Sequence, residues 1–319
     1  MADLSVDLAG MTLRNPLLSA SGTFGHGLEM QHMVAPKLLG GLVSKTVTMK
    51  PRRGNPMPRI AETAAGFLNS IGLENHGVAA YERDVLPMVA EADTLIIANL
   101  GGESVEEFAE LAARLDGRAE IDAFEINLSC PNVDGGKLPY STDPERAEKV
   151  MAGVRAATSK PIFAKLSPNV THIGEIARGA EAGGADGITA VNTLLGMAVD
   201  WRSGRPALNT TVGGYSGAAI KPVALRCAWQ CVEAVSIPVI GCGGIRTASD
   251  VLEYMVVGCA AVQIGTASFS DPSLLARLGE QLHELLDGAG IGSMGELRGR
   301  LWPHGTSKPT AAKPTSGVS

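Results

Sequence analysis

The sequence predicts an α/β chain folded as a (β/α)8 barrel, the TIM barrel, with an N-terminal β-hairpin plug. Three observations carry that expectation. Eight short apolar runs alternate with segments of helical hydrophobic period along 319 residues, the pattern of repeated β-then-α units. Ala, Val, Ile and Leu fill the runs and aromatics make up only 4% of the chain, which suits parallel strands buried on both faces. Most runs end in glycine or a polar side chain, where such a barrel gathers its active site.

Leu4 to Leu8 and Met11 to Arg14, around Ala9-Gly10, read as a hairpin closing the bottom of the barrel. Strands are expected at 17–20, 41–45, 94–99, 123–127, 161–166, 187–191, 238–241 and 261–265. Several helices have recognisable starts. Ser104 and Glu107 have capping-box spacing, in which the Ser oxygen and the Glu carboxylate satisfy free backbone N–H groups. Val105, Phe108, Leu111, Ala112 and Leu115 then share one face. Asp143-Pro144 sets an N-cap before Pro at the first helical position. Thr247 to Asp250 caps a further helix, and Gly258 is placed to end it. Residues 46–75, rich in Pro, Gly and Arg, separate the second strand from its helix and read as an active-site loop. A doubly wound sheet is disfavoured because no G-x-G-x-x-G follows an early strand. The barrel domain is assigned to 1–303, and the small, polar, Pro-rich 304–319 to a disordered tail.

A net charge of -6 argues against nucleic-acid binding, which needs a basic face, but leaves room for one small anion in a local basic pocket. The cysteines, at 130, 227, 231, 242 and 259, have neither zinc nor iron–sulfur spacing, so no metal site is expected. Their odd number fits a reducing compartment. Asp3, Asp7 and Arg14 interrupt any apolar export segment, and no run is long enough to span a bilayer. A cytoplasmic setting away from the membrane is expected.

The chemistry gathers at the strand ends. Ser21, Lys45, Thr46, Asn99, Asn127 and Lys165 end or follow the first five strands. Asn192 and Thr193 follow the sixth, and Gly243-Gly244 and Gly265-Thr266 follow the last two. Two glycine turns at strands seven and eight offer backbone N–H groups to a phosphate. Lys165 is placed to stabilise the charge that develops at the N1–C2 edge of a reduced flavin, and Lys45 to pair with a substrate carboxylate. Asn69, Asn127, Asn132 and Asn192 each offer a donor and an acceptor, the match for the alternating edge of a pyrimidine. Cys130 lies past a strand end and before Pro131, in a segment too polar for core, and a modest push from nearby lysines makes such a thiol a base near neutral pH. Gly135 and Gly136 would let that loop act as a lid. The other four cysteines read as small buried hydrophobes. A non-redox barrel aldolase or synthase, holding a phosphorylated metabolite on the same glycine turns, stays open at this point.

"GTFG", "NSIGLENHG" at 69–77, "NLSCPN", "GGYSG" at 213–217, "GCGGI" and "QIGTA" together resemble the class 1 dihydroorotate dehydrogenases, over the chain to about residue 300. The wording "SCPNVDGGK" and "ASGTFGHG" is most similar to subclass 1B, the FMN catalytic subunit of an NAD-linked complex. The resemblance implies oxidation of dihydroorotate to orotate in pyrimidine biosynthesis. Cys130 would take the C5 proton while a hydride leaves C6 for FMN. It implies substrate contacts at Lys45, Asn69, Ser70, Ile71, Gly72 and Leu73, and at Asn127, Asn192 and Thr193, with Asn132 adding one. FMN contacts are implied at Ser21, Lys45, Thr46, Asn99, Asn127 and Lys165, and at Val191, Gly217, Gly243, Gly244, Gly265 and Thr266. Position 191 is Val where relatives often carry Ile, a change that a backbone contact survives. The implied partner is a subunit with FAD and a 2Fe–2S cluster that passes electrons to NAD+, in a heterotetramer of two of each. The alternatives are the fumarate-linked subclass 1A and a related dihydropyrimidine-type flavin oxidoreductase.

Overall fold

The structure, a computed structural model, describes residues 1–27, 29–129 and 139–302. Eight parallel strands close a barrel: β1 (Leu17–Ser19), β2 (Gly41–Val43), β3 (Leu95–Leu100), β4 (Ala123–Asn127), β5 (Ile162–Leu166), β6 (Gly187–Ala190), β7 (Val239–Cys242) and β8 (Ala261–Ile264). They follow one another around the barrel in chain order, and Val262 of β8 pairs with Leu17 of β1 to close it. Each lies within two residues of its expected bounds.

The principal helices are α1 (Val105–Asp116), α2 (Pro144–Ala157), α3 (Ile173–Ala182), α4 (Lys221–Val232), α5 (Ala248–Val256) and α6 (Leu274–Gly288). Three of these starts, at α1, α2 and α5, follow a side chain that caps them. Asp143 accepts from the backbone of Glu145 and Arg146 at 2.9 and 3.1 Å. Thr247 and Asp250 exchange both bonds of a capping box, and Gly258, at φ 107°, follows the end of α5. At α1 only half of the expected box forms: Ser104 Oγ accepts from Glu107 N at 3.2 Å. The Glu107 carboxylate instead takes the N–H of Glu103, one residue before the cap, at 2.7 Å.

Residues two apart on a strand share a face, and this divides the barrel interior into layers. Leu18, Val43, Ile97, Ala123, Phe163 and Ile240 form an apolar floor. Two positions later the same strands carry polar groups: Lys45 after Val43, Asn99 after Ile97, Glu125 after Ala123 and Lys165 after Phe163, with Gln263 after Ala261. The N-terminal hairpin, Val6–Leu8 paired with Met11–Leu13, turns through Ala9 and Gly10 at φ 54° and 81°, the left-handed pair that a tight two-residue turn needs. Its Leu8 and Leu13 are buried against the floor, as a plug should be.

The expected loop at 46–75 is more ordered than its composition suggests. Ile60–Thr63 and Gly66–Asn69 form a hairpin, extended by Gly213–Ser216 and Leu194–Gly196 into a four-stranded antiparallel sheet. Period-2 alternation is weak in these short strands, and the pairing of Asn69 with Gly214, 145 positions away, leaves no local trace. No helix among the described residues is long and apolar enough to cross a membrane. The tail, 304–319, lies outside the described residues.

Candidate active site

A cavity of about 880 Å³ opens at the C-terminal ends of the strands, within the range of small-molecule and cofactor sites. Lys45, Thr46, Asn99, Asn127, Lys165 and Ser21 line it, as do Val191, Asn192 and Thr193 after β6. Gly217, Gly243, Gly244, Gly265 and Thr266 form one side, and Asn69, Ile71, Gly72 and Leu73 come from the hairpin arm. The eight strand ends therefore converge as the sequence reading expects. Ser70 does not line the cavity. Strand alternation turns its hydroxyl away between Asn69 and Ile71, into a buried position without a partner among the described residues. Cys130, Asn132 and the Gly135-Gly136 lid lie outside the described residues.

The two cavity lysines differ in their surroundings. Lys165 is 6% exposed, and its Nζ donates to Gln263 Oε1 at 2.5 Å and stands 3.9 Å from Glu125. Lys45 is half-buried, and its ammonium has no protein acceptor among the described residues. A cation without a counter-charge at the edge of a cavity is a ready partner for an anionic group. Asn127 Oδ1 accepts from Asn192 Nδ2 and from Ser129 N, both at 3.3 Å. Its own amino group is left without a protein acceptor among the described residues. Asn192 Oδ1 takes the Thr193 N–H at 2.8 Å, which fixes the faces of both amides.

In the same cavity, Gly243 and Gly244 adopt φ 137° and 74°, and a Cβ on Gly244 would meet the backbone N of Lys221 at 2.6 Å. Only glycine fits this turn. The N–H groups of Gly244, Gly265 and Thr266 donate to no protein acceptor among the described residues, so they are free for a ligand. Thr266 Oγ1 donates to Ser216 Oγ at 2.8 Å, tying the rim sheet to the end of β8.

Burial pushes all four described cysteine thiols up, Cys259 to about 12. None of them is a base near neutral pH. Cys242, read from sequence as a small buried hydrophobe, does line the cavity, where burial outweighs the opposing pull of the Lys165 charge. Among the described residues no group of three His, Cys, Asp or Glu side chains gathers to hold a metal ion.

Several lining residues escaped the sequence reading. Arg59 reaches the rim and pairs with Glu74 at 2.5 Å, and Phe67 meets Phe269 edge-on at 5.8 Å. Both depend on the rim sheet, whose formation was not foreseen. Gln263 and the Glu125 behind it were legible: an amide in "AVQIG" and a carboxylate in "AFEIN" are polar groups on the inward face of buried strands.

Comparison with known proteins places this geometry. The dihydroorotate dehydrogenase family profile matches residues 3–286. A dihydroorotate dehydrogenase B (NAD(+)) catalytic subunit of Solidesulfovibrio magneticus is 51% identical over 300 residues, covering 94% of this chain and 98% of the relative. The protein of the same name from Geotalea uraniireducens is 47% identical over 299 residues, with the same coverage. A crystal structure of DHODH from Eimeria tenella, in complex with ferulenol, superposes with a TM-score of 0.78 at 23% identity, over 93% of this chain and 88% of that one, a likeness of fold. With half its residues shared with B-type catalytic subunits along nearly their whole length, the chain belongs to the dihydroorotate dehydrogenase family.

Proposed function

We propose that the chain oxidises dihydroorotate to orotate, with FMN bound in the barrel cavity and the electrons passed through a second subunit to NAD+. The observation that carries this reading is the presence, in one cavity, of an ammonium at Lys45 and of backbone N–H groups at Gly244, Gly265 and Thr266 that have no protein acceptor among the described residues. The first suits a carboxylate and the second a phosphate.

FMN fits on the grounds of the cavity itself. The volume is sufficient, and the glycine turn leaves room for a phosphate where any Cβ would collide with Lys221. Lys165 lines the cavity and would hold a flavin's pyrimidine edge, stabilising charge that develops there. Ser21, Thr46, Asn99, Val191, Gly217 and Gly243 would complete the cofactor's surroundings. Bound there, FMN supplies the acceptor for the hydride leaving C6 of the substrate.

The chain's own residues account for the rest. Lys45 holds the substrate carboxylate, a charge-assisted contact in a partly desolvated site. Asn127 presents its free amino group to a ring carbonyl, held in that sense by Asn192 and Ser129. Asn69, Thr193 and the 71–73 backbone close the rim over the ring, with Asn132 adding a further amide. Cys130, the thiol of the family motif "NLSCPN", takes the C5 proton. The relatives' name, a catalytic subunit linked to NAD(+), supports a partner that carries FAD and a 2Fe–2S cluster, in a complex of two of each.

Mixing the purified chain with dihydroorotate under anaerobic conditions tests the reading. A flavin absorbance band that bleaches is expected. A colourless protein that takes up no added FMN would remove the proposal. Fumarate as sole acceptor for the isolated chain should support no turnover.

A further inference from the structure

Glu125 and Lys165 are the two charged side chains buried among the described residues, at 0% and 6% exposure. A fully buried carboxylate is costly, and an apolar residue of similar size commonly serves stability as well or better. The floor beneath it is built of such residues. The placement of Glu125 therefore asks for another explanation.

Glu125 does not line the cavity, but three of the side chains around it, Asn99, Lys165 and Gln263, do. Asn99 Nδ2 donates to its Oε1 at 2.7 Å, and Gln263 Nε2 donates to its Oε2. Thr189 Oγ1 reaches Oε2 at 2.9 Å, and Lys165 Nζ stands 3.9 Å from the same oxygen. Four neighbouring groups, from β3, β5, β6 and β8, converge on one carboxylate of β4. All of them are donors.

An acceptor-only group at this point fixes the sense of every amide around it. Because Gln263 gives its amino group to Glu125, its carbonyl must face Lys165, which it meets at 2.5 Å. That bond uses one of the lysine's three protons and fixes the direction of its ammonium. Because Asn99 gives its amino group to Glu125, its Oδ1 takes the Thr46 hydroxyl proton at 2.6 Å. Thr46 then offers only lone pairs to Ser21, 3.5 Å away. A buried anion beside Lys165 also offsets part of the positive charge that the lysine presents to the cavity.

We propose that Glu125 is a positioning residue that orients Lys165, Asn99 and Gln263 toward the flavin's pyrimidine edge and tempers the positive charge they present there. This rests on the FMN reading above. Glu125→Gln removes the anion and places an amino group among donors, so one of the surrounding amides must turn over.

The test uses the full chain reconstituted with FMN, with the flavin midpoint potential and the dissociation constant of sulfite as readouts. Sulfite adds to oxidised flavin and binds more tightly as positive charge grows near the N1–C2 edge. Glu125→Gln should retain FMN, shift the potential positive and lower the sulfite dissociation constant about ten-fold. Glu125→Asp, which keeps the charge one methylene further back, should fall between wild type and Glu125→Gln. Wild-type protein that binds no FMN would overturn the functional reading and this inference together. Wild type that binds FMN, with both variants unchanged in potential and sulfite affinity, would overturn the inference alone. Loss of the folded circular dichroism spectrum in both variants would assign Glu125 to the scaffold and likewise overturn it.

Discussion

Lys45 and Lys165 occupy equivalent places in the barrel, each two residues above an apolar floor side chain, yet among the described residues only the second is paired, held from behind. Their roles should separate on substitution. Lys45→Met removes a cation that has no protein acceptor among the described residues, so the KM for dihydroorotate should rise about ten-fold or more with the thermal midpoint little changed; steady-state kinetics and calorimetry check this. Cys130→Ala should abolish anaerobic bleaching by dihydroorotate while FMN stays bound, and full bleaching would remove the base assignment. Cys130→Ser should keep a trace of activity that rises with pH, since a hydroxyl is a far weaker base than a thiol. The glycine turn belongs with these residues. Gly244→Ala drives a Cβ against Lys221 and should weaken FMN binding measured by fluorescence quenching.

The elements divide between those that hold the barrel together and those that dress its mouth. The N-terminal hairpin belongs to the first group. Leu8→Ala would empty a fully buried position against the floor and should cost about 2–5 kcal/mol in denaturant unfolding, without altering the cavity at the other end of the strands. The cap of α5 is a smaller contribution, and Thr247→Ala should cost about 1 kcal/mol. The four-stranded rim sheet belongs to the second group. Gly66 in it faces Ser216, whose carbonyl would lie 2.0 Å from an added Cβ. Substitution there should loosen the arm carrying Asn69 and raise KM more than it lowers stability.

For the whole molecule, the charged groups give stability a defined pH dependence. Desolvation lowers the pKa of His26, which packs 5.4 Å from the Tyr81 ring; the nearby Lys45 and His76 charges act in the same sense and Glu29 opposes them. A histidine held neutral takes up its proton more readily in the unfolded chain, so its contribution is present above about pH 6.5 and lost as pH falls toward its folded value. The carboxylates add a second, more acid step. The Thr158 hydroxyl holds Asp116 low. Burial opposes the same shift at Glu82 and Asp250, but hydrogen bonds from Arg114 and Arg118 in the first case, and from Lys221 in the second, win. Their contribution is present above about pH 4 and is lost as pH falls through the lowered values. Thermal midpoints should therefore decline gently from pH 7 to 5 and steeply below 4, and His26→Asn should flatten only the first decline.

The sequence by itself determined the barrel, its eight strands, its plug and the convergence of polar residues at the strand ends. Each of these is written in local periodicity: apolar runs, caps at helix starts, and polar groups two residues beyond floor positions such as Val43 and Phe163. It also carried the family, through motifs such as "NLSCPN" and "QIGTA". Only the tertiary structure decided which of those polar residues are partnered. Among the described residues Lys45 has no acceptor while Lys165 is engaged, because Glu125 and Gln263, 138 positions apart, meet beneath the second lysine alone. The rim sheet joining residues 66–69 to 213–216, and with it the places of Arg59, Phe67 and Ser70, was likewise beyond a local reading. Hydrogen bonds between distant strands are set by how the barrel closes, and closure leaves no periodic mark in the chain.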